Sequence, residues 1–295
     1  MPRADPAAAA AAAAVITHPD KVLFPDDGIT KGELAAYYDM VAPLMLPHLT
    51  GRPVTMERFH RGIGAGGFFQ KNVARGPAWL ERVAVPKKDG VVNYPVVRDR
   101  RGLLWLANQN CVTPHVWTAR APDLMHPDIC VFDLDPIVDD AAAVRDAALA
   151  LRALLAELGR ESWIKTTGSK GFHVAMPLDG RADYGAVARF GHAVGRALVA
   201  RDPGHLTLEF YKDDRKGRIF VDTGRNEFGA TFAAAYAVRP KRGAPVSAPC
   251  EWGEIERGAI EPRSLTLRGM SDRIASAGDP WRDLHGRSRS LPPPP

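Results

Sequence analysis

Apolar residues recur at helical spacing in three segments of the chain, and this periodicity predicts three amphipathic helices. The first helix begins after Thr30, with Glu33 at the capping-box position. The second begins at Asp139 or Asp140, and the third begins at about Tyr184. The three apolar faces consist of Leu34, Tyr37, Val41 and Leu44; of Val144, Ala148, Leu151, Leu155 and Leu158; and of Val187, Phe190, Val194 and Leu198.

Short runs rich in apolar and β-branched residues lie outside these helices and predict six strands. Strands and helices mix without strict alternation, which favours an α+β fold with largely antiparallel sheet over a doubly wound parallel sheet. The predicted strands lie around Ile129–Asp135, 163–167, 174–178, 206–210, 218–222 and 231–238.

The two ends of the chain differ in composition from the rest. Residues 1–14 are nearly all alanine after Pro6, and residues 287–295 end in four prolines. Low-complexity segments of this kind predict a disordered tail at one end and a proline-rich tail at the other. Because no linker-like stretch or repeat lies between them, we expect one domain over residues 15–286.

Charge and cysteine content limit the classes of protein to which this chain can belong. The 295 residues carry a formal net charge of +5, and residues 212–242 hold eight Lys or Arg against four Asp or Glu. Such a basic stripe suits a phosphate-rich partner, with a solvated strand face as the alternative. Three scattered cysteines indicate neither a disulfide framework nor a zinc site, and no apolar run approaches the ~18 residues of a membrane span. We therefore expect a cytoplasmic protein.

Two closely spaced carboxylates end the strand predicted at Ile129–Asp135. Asp133 and Asp135 share one face because alternate side chains of a strand point the same way. They repel each other unless a divalent cation lies between them, and oxygen ligands suit Mg²⁺ or Mn²⁺. Asp222 follows a separate apolar run and can supply a third carboxylate. The alternative is structural, with Asp135 capping the loop before Pro136 and Asp222 starting a turn.

A glycine-flanked turn at residues 168–171 carries Ser169 and Lys170. Backbone N–H groups in such a turn, together with a lysine ammonium, suit a triphosphate. A Gly-Ser-Lys-Gly sequence is also common as a turn without a ligand. Taken with a metal-binding carboxylate set, the turn indicates nucleotidyl transfer.

Several motifs in order resemble the polymerase domain of the bacterial end-joining ligase LigD, within the archaeo-eukaryotic primase superfamily. The resemblance covers nearly the whole chain. It implies a template-directed polymerase that fills gaps and extends ends at DNA breaks, prefers ribonucleotides and uses Mn²⁺ or Mg²⁺. It also implies DNA ends with a 5′-phosphate as partners, NTP or dNTP substrates, a nucleoid location, and cooperation with Ku and an ATP-dependent DNA ligase. The motifs are residues 18–25, Gly67-Phe68-Phe69-Gln70-Lys71, residues 132–136, 168–173 and 220–222, and residues 236–247.

The resemblance also assigns roles to individual residues. It makes Asp133, Asp135 and Asp222 the catalytic metal ligands. It places Lys21 and Lys31 on the 5′-phosphate of a gap, and Phe68 and Phe69 against the template base. The residues that it places around the nucleotide are His115, Thr167, Ser169, Lys170, His173, Arg215 and Arg239.

Two positions depart from the pattern of the relatives. Thr167 stands where relatives tend to carry Ser near the incoming sugar, and it keeps the hydroxyl while adding a methyl group. Arg225 stands where many relatives carry Gln before Asn226. The first departure bears on the strength of ribose selection, and the sequence alone gives no account of the second.

Three other functions compete with the polymerase interpretation. A haloacid-dehalogenase-type phosphatase would share the Asp133-Leu134-Asp135 motif, although that family carries the motif on its first strand and has Gly-Thr where Pro136 follows here. A non-catalytic DNA-end-binding module would not need the intact carboxylate set. A primase that starts strands unaided is a closer alternative, but the two end-recognition lysines favour gap and break repair.

Overall fold

Residues 15–295 are described by a computed structural model, so the predicted disordered alanine tail at 1–14 lies outside the described residues. The described part contains seven α-helices and four short 3₁₀ turns. The helices are α1 (Lys31–Leu49), α2 (Arg100–Asn108), α3 (Ala141–Glu157), α4 (Tyr184–Arg201), α5 (Lys212–Arg215), α6 (Trp252–Glu256) and α7 (Met270–Ala277), and the 3₁₀ turns are Ile63–Ala65, Gly224–Asn226, Leu267–Gly269 and His285–Arg287.

Sixteen strands in the same residues form two main sheets and three two-stranded ribbons. One main sheet has the order β11-β12-β8-β10-β9-β16 and is antiparallel except between β11 and β12. The other has the antiparallel order β13-β7-β3-β4. The predicted α+β fold with largely antiparallel sheet is confirmed. The strands are β1 (Val22–Phe24), β2 (Ile29–Thr30), β3 (Val54–Arg58), β4 (Phe68–Gln70), β5 (Glu81–Lys87), β6 (Gly90–Val96), β7 (Cys111–Val116), β8 (Ile129–Asp135), β9 (Trp163–Thr166), β10 (Phe172–Pro177), β11 (Leu206–Thr207), β12 (Ile219–Asp222), β13 (Phe232–Ala233), β14 (Ala237–Val238), β15 (Val246–Ser247) and β16 (Pro249–Cys250).

The three predicted helices begin at side-chain caps. Thr30 and Glu33 form a capping box at α1, with Glu33 N–H donating to Thr30 Oγ1 over 3.2 Å and Thr30 N–H donating to Glu33 Oε2 over 2.9 Å. Asp140 caps α3 by accepting from the N–H group of Ala143, and Asp183 caps α4 by accepting from the N–H group of Ala186. Each cap satisfies an N–H group that has no partner within the helix, which fixes where the helix begins.

Strand β8 runs between the two hydrophobic cores of the protein. Ile129 and Val131 belong to the core around α1 and the four-stranded sheet, whereas Cys130, Phe132 and Leu134 belong to the core beneath α3 and α4. Alternation of this kind leaves no solvent-facing side along most of the strand. At its carboxyl end, Asp133 and Asp135 replace the apolar side chains on one face, so the carboxylates lie where the packed interior ends.

The segment predicted as one strand at 231–238 is two short strands, β13 and β14. Tyr236 between them has a backbone φ of 65°, in the left-handed region that a continuous strand excludes. Its side chain is buried, and its hydroxyl donates to Asp279 over 2.7 Å. This tertiary contact outweighs the local preference for extended structure.

The last residues pack on the domain. Asp179 N–H donates to the carbonyl oxygen of Arg289 over 3.0 Å, and Leu291 contacts the core beneath α3 and α4. Among the helices of residues 15–295, none has both the length and the apolar character needed to cross a membrane.

Candidate active site

Four polar residues form a row across four neighbouring strands of the six-stranded sheet. In the strand register, Asp222 of β12 lies opposite Asp133 of β8, Asp133 opposite His173 of β10, and His173 opposite Lys165 of β9. Residues that pair directly across strands point to the same face of a sheet. The row therefore places two carboxylates, an imidazole and a lysine amino group side by side on one face.

The third carboxylate, Asp135, lies two residues along β8 from Asp133 and is held by Arg215. The Arg215 guanidinium is 3.0 Å from Asp135 Oδ2 and stacks on the Phe220 ring at 4.4 Å. It also donates to the carbonyl oxygens of Glu209 and Phe210. Only 6% of the Arg215 side chain is exposed, so this cation is fixed in place by its contacts.

Arg225 bridges the other two carboxylates. Its Nη2 atom lies 2.9 Å from Asp222 Oδ2 and 3.3 Å from Asp133 Oδ2. Burial is the main reason that the pKa of Asp222 is raised, and the neighbouring charge of Asp133 adds to the rise while Arg225 opposes it. Burial would also raise the pKa of Asp133, but its interactions with His173 and Arg225 hold that pKa well below the ordinary value.

Lys165 and Asp133 lie on opposite sides of the His173 ring. Lys165 Nζ is 2.7 Å from His173 Nδ1, and His173 Nε2 is 3.4 Å from Asp133 Oδ2. Burial lowers the pKa of His173 to about 4, with Lys165 adding to the shift and Asp133 opposing it. The imidazole is therefore neutral near pH 7, and it lies between the amino group of Lys165 and the carboxylate of Asp133.

The glycine-flanked turn closes against β8 and is shaped by Thr167. The Thr167 hydroxyl donates to Gly171 O over 2.9 Å and accepts from the N–H groups of Ser169 and Gly171. A Cβ atom at Gly171 would lie 1.7 Å from Leu134 O, so the turn can approach the strand only with glycine there. The turn ends at Gly171, and His173 lies in strand β10, which follows it.

Of the residues predicted to hold a triphosphate, Arg239 has a buried donor without a partner. Its Nε–H has no hydrogen bond, and its Nη1 atom is 3.4 Å from Thr167 O. A buried unpaired donor is costly, so this guanidinium is suited to an anion. Lys170 instead donates to the carbonyl oxygen of Ile137 and lies 3.7 Å from Asp139. Lys170 thus anchors the turn to the loop that follows β8.

His115 lies on the four-stranded sheet with a carboxylate and an aromatic ring as partners. Its Nε2 atom is 3.0 Å from Glu57 Oε2, and its ring packs edge-on against Phe69 at 5.3 Å. Burial lowers the pKa of His115, and Glu57 opposes that shift. Through these contacts His115 connects the predicted nucleotide site with the predicted DNA-binding aromatics.

A separate open cleft of about 710 Å³ contains both predicted end-recognition lysines. Lys31 is only 3% exposed, and its ammonium donates to Thr17 O over 2.7 Å. Burial lowers the pKa of Lys31, and the positive charges of Lys21 and Arg58 add to the shift. Three cations thus gather at one cleft, which is lined also by Thr17, His18, Asp20, Asn108, Gln109 and Asn110.

The predicted aromatic pair is exposed on strand β4, next to this cleft. Phe68 is 43% and Phe69 61% exposed, which is unusual for adjacent large apolar residues. The guanidinium of Arg58 lies over the Phe68 ring at 5.6 Å and also lines the cleft. Arg58 therefore connects the aromatic pair to the lysines.

The donor set suits Mn²⁺ or Mg²⁺, because all three predicted ligands are carboxylates and two of them lie directly opposite each other. Within residues 15–295, however, no three His, Cys, Asp or Glu side chains are arranged so that they could hold a metal ion as they stand. The carboxylates are paired with Arg215 and Arg225 instead. The negative charge that a divalent ion would neutralise is thus balanced by arginines in this structure.

Three residues of the site were missed in the sequence. Lys165 is fully buried in the row of polar residues, Glu57 pairs with His115, and Arg58 joins the aromatic pair to the cleft. A lysine inside a strand of buried residues was the available signal for Lys165. Glu57 and Arg58 end a strand that was not predicted, and their roles depend on its pairing with β4 and β7.

Residues 30–281 match the family described as LigD, primase-polymerase domain. The multifunctional non-homologous end joining protein LigD of Mycolicibacterium smegmatis is 35% identical over 268 residues, which are 90% of this chain and 35% of that protein. The protein of the same name from Pseudomonas aeruginosa is 34% identical over 96% of this chain and 34% of its own length. The chain thus spans about a third of the length of these curated relatives.

A solved structure shares the fold as well as the sequence. The polymerase domain of Mycobacterium tuberculosis ligase D, solved in complex with DNA, superimposes with a TM-score of 0.87 at 33% sequence identity. The match covers 93% of this chain and 99% of that one. The similarity in fold therefore extends over nearly the whole chain.

Proposed function

The chain belongs to the LigD primase-polymerase domain family, a class of DNA-directed nucleotidyltransferases, and on that premise we propose that it fills gaps and extends ends at DNA breaks in bacterial end joining. The observation that carries the proposal is the row of Asp222, Asp133, His173 and Lys165, with Asp135 beside it. Family membership decides against the phosphatase alternative. In addition, the Asp133-Leu134-Asp135 motif lies on the eighth strand of residues 15–295, not on the first.

We propose that Asp133, Asp135 and Asp222 hold Mn²⁺ or Mg²⁺, which when bound neutralises charge on the reacting phosphate and lowers the pKa of the attacking hydroxyl. His173 would keep Asp133 ionised and oriented, since its Nε2 atom lies 3.4 Å from that carboxylate. Asp133 is thereby kept unprotonated in the neutral range, as a metal ligand must be.

The residues around the turn would bind the triphosphate. Arg239 offers an unpaired buried donor beside Thr167. Ser169 and Lys170 lie on the turn itself, which Lys170 joins to the loop that follows β8. His115 and Arg215 are proposed to complete the nucleotide site. Lys21, Lys31, Phe68 and Phe69 are proposed to bind DNA that carries a 5′-phosphate. Ku and an ATP-dependent DNA ligase are the proposed protein partners at the nucleoid.

We expect ribonucleotides to be incorporated in preference to deoxynucleotides, and Mn²⁺ to support faster addition than Mg²⁺. The Thr167 hydroxyl makes three hydrogen bonds within the turn. We therefore expect Thr167 to affect the preference for ribonucleotides indirectly, by holding the turn in its conformation. Thr167→Ser keeps those bonds and should leave the preference unchanged, whereas Thr167→Val loses them and should slow addition of both sugars. Single-turnover incorporation of matched ribo- and deoxynucleotides into gapped DNA measures this. A deoxynucleotide preference in the wild type would contradict the proposal.

Replacing Phe68 and Phe69 by Ala should weaken binding to gapped DNA whether or not the gap carries a 5′-phosphate. Stacking on a base contributes about 1–3 kcal/mol and does not depend on the phosphate. The dependence of affinity on salt should hardly change, because no charge is lost. Fluorescence anisotropy with both gaps across a salt series tests this, and a loss confined to the phosphorylated gap would exclude the stacking role.

A further inference from the structure

The guanidinium of Arg225 lies where two carboxylates of the proposed metal site converge. Its Nη2 atom is 2.9 Å from Asp222 Oδ2 and 3.3 Å from Asp133 Oδ2, and its Nε–H also donates to Asp133 over 3.3 Å. Because Asp133 and Asp222 face each other across adjacent strands, a cation that bridges them must occupy this space. The guanidinium and a bridging divalent ion exclude each other there, both by volume and by charge.

We propose that Arg225 is a competing internal cation that must withdraw before a divalent ion can bridge Asp133 and Asp222, so that it sets the metal affinity of the site. The proposal rests on the proposed function in one respect, namely that these two aspartates hold the metal. Arg225 acts on metal occupancy through the two carboxylates, and we therefore regard it as a positioning residue.

The two arginines of the site differ in how freely they can move. Arg215 is 6% exposed and is held by Asp135, by two backbone carbonyls and by the Phe220 ring. The Arg225 side chain is 38% exposed and, besides the two aspartates, makes a long 3.4 Å contact with Thr231 O. Arg225 therefore has few bonds to break and a path towards solvent, whereas Arg215 has neither.

Space for the displaced side chain lies next to the site. An open cleft of about 400 Å³ is bounded by Asp222 and Arg225 and also by Glu227. The exposed carboxylate of Glu227 can receive the guanidinium once a metal has replaced it. Withdrawal thus moves the positive charge by a short distance and leaves it near an acid.

The proposal predicts that Arg225→Gln binds Mn²⁺ more tightly than the wild type. A positive charge at this distance lowers the pKa of a carboxylate by about one to three units. Removing that charge should therefore make Mn²⁺ bind about tenfold more tightly or more. Electron paramagnetic resonance of free Mn²⁺, titrated against protein without nucleotide or DNA, measures the affinity directly. Arg196→Gln, which removes an exposed arginine of α4, is the charge-matched control and should bind as the wild type does.

Thermal unfolding provides a second measurement and reveals whether a variant folds. In the presence of EDTA, Arg225→Gln should have a lower Tm than the wild type, because Asp133 and Asp222 lose their shared counter-ion. Mn²⁺ should then raise its Tm by more than it raises the wild-type Tm, since at a fixed ligand concentration the stabilisation increases as the dissociation constant falls. If Arg225→Gln does not fold, Arg225→Met is used in its place, because methionine keeps the apolar stem of the arginine.

A double variant separates failure of this proposal from failure of the proposed function. Asp133→Asn added to Arg225→Gln should remove Mn²⁺ binding. If binding survives that change, the aspartates are not the metal site and the proposed function is contradicted. If Asp133→Asn removes binding but Arg225→Gln binds Mn²⁺ no more tightly than the wild type, the role of Arg225 is overturned and the metal site stands.

Discussion

Asp133→Asn is expected to abolish nucleotide addition while leaving the chain folded and able to bind DNA. The substitution preserves the size of the side chain but removes the charge on which the proposed metal site depends. Loss of a metal-held carboxylate removes several kcal/mol of transition-state stabilisation, or about 10³-fold or more in rate. Asp222→Asn should behave in the same way, because its carboxylate lies directly opposite on β12.

Asp213→Asn is the matched control for this loss. Asp213 is an exposed acid of the short helix α5, two residues before Arg215. Its variant should extend primers at the wild-type rate, and all three variants should bind gapped DNA with wild-type affinity in anisotropy titrations. Near-normal extension by Asp133→Asn or Asp222→Asn would remove the basis of the metal assignment.

Replacing Lys21 and Lys31 together by Met should strongly weaken binding to a gap with a 5′-phosphate. Methionine keeps the apolar stem of Lys31, which is buried, and removes the charge. Two charge-assisted bonds to a phosphate contribute roughly 1.5–3 kcal/mol each, so the expected loss is about 10²-fold or more. The same gap with a 5′-hydroxyl should lose little affinity.

The control for general charge loss is Arg189→Gln with Arg196→Gln, on the exposed side of α4. This pair removes two positive charges away from the cleft and should not distinguish the two gaps. Binding measured across a salt series should give a flatter dependence for the lysine variant on the phosphorylated gap. An equal loss of affinity for both gaps would mean that Lys21 and Lys31 are general backbone contacts, and the break-repair proposal would weaken.

The sequence predicted the carboxylate strand and the helices that flank it, because these features depend on local patterns. Strand β8 was predicted with its observed bounds, and the capping residues Thr30 and Asp140 begin their helices. The alternation of side chains along a strand was sufficient to place Asp133 and Asp135 on one face. Information of this kind is contained in a few consecutive residues.

The partners of those carboxylates could not be predicted, because they depend on strand order and register. Lys165 joins the site only because β9 pairs with β10, which in turn pairs with β8. Strands β3, β4 and β7 of the four-stranded sheet were not predicted. Strand β7 contains Pro114 among its buried residues and does not alternate between apolar and polar positions. The break at Tyr236 likewise depends on Asp279, which is distant in sequence.

Single-nucleotide addition to a primer in gapped DNA tests the central claim most directly. Each of the four nucleotides is offered separately with Mn²⁺ against each template base, and both the primer length and the released phosphate species are measured. We expect the primer to grow by one residue only with the nucleotide complementary to the template, releasing one pyrophosphate for each addition. Release of inorganic phosphate without extension, or addition that does not follow the template base, would contradict the assignment of this chain as a template-directed polymerase.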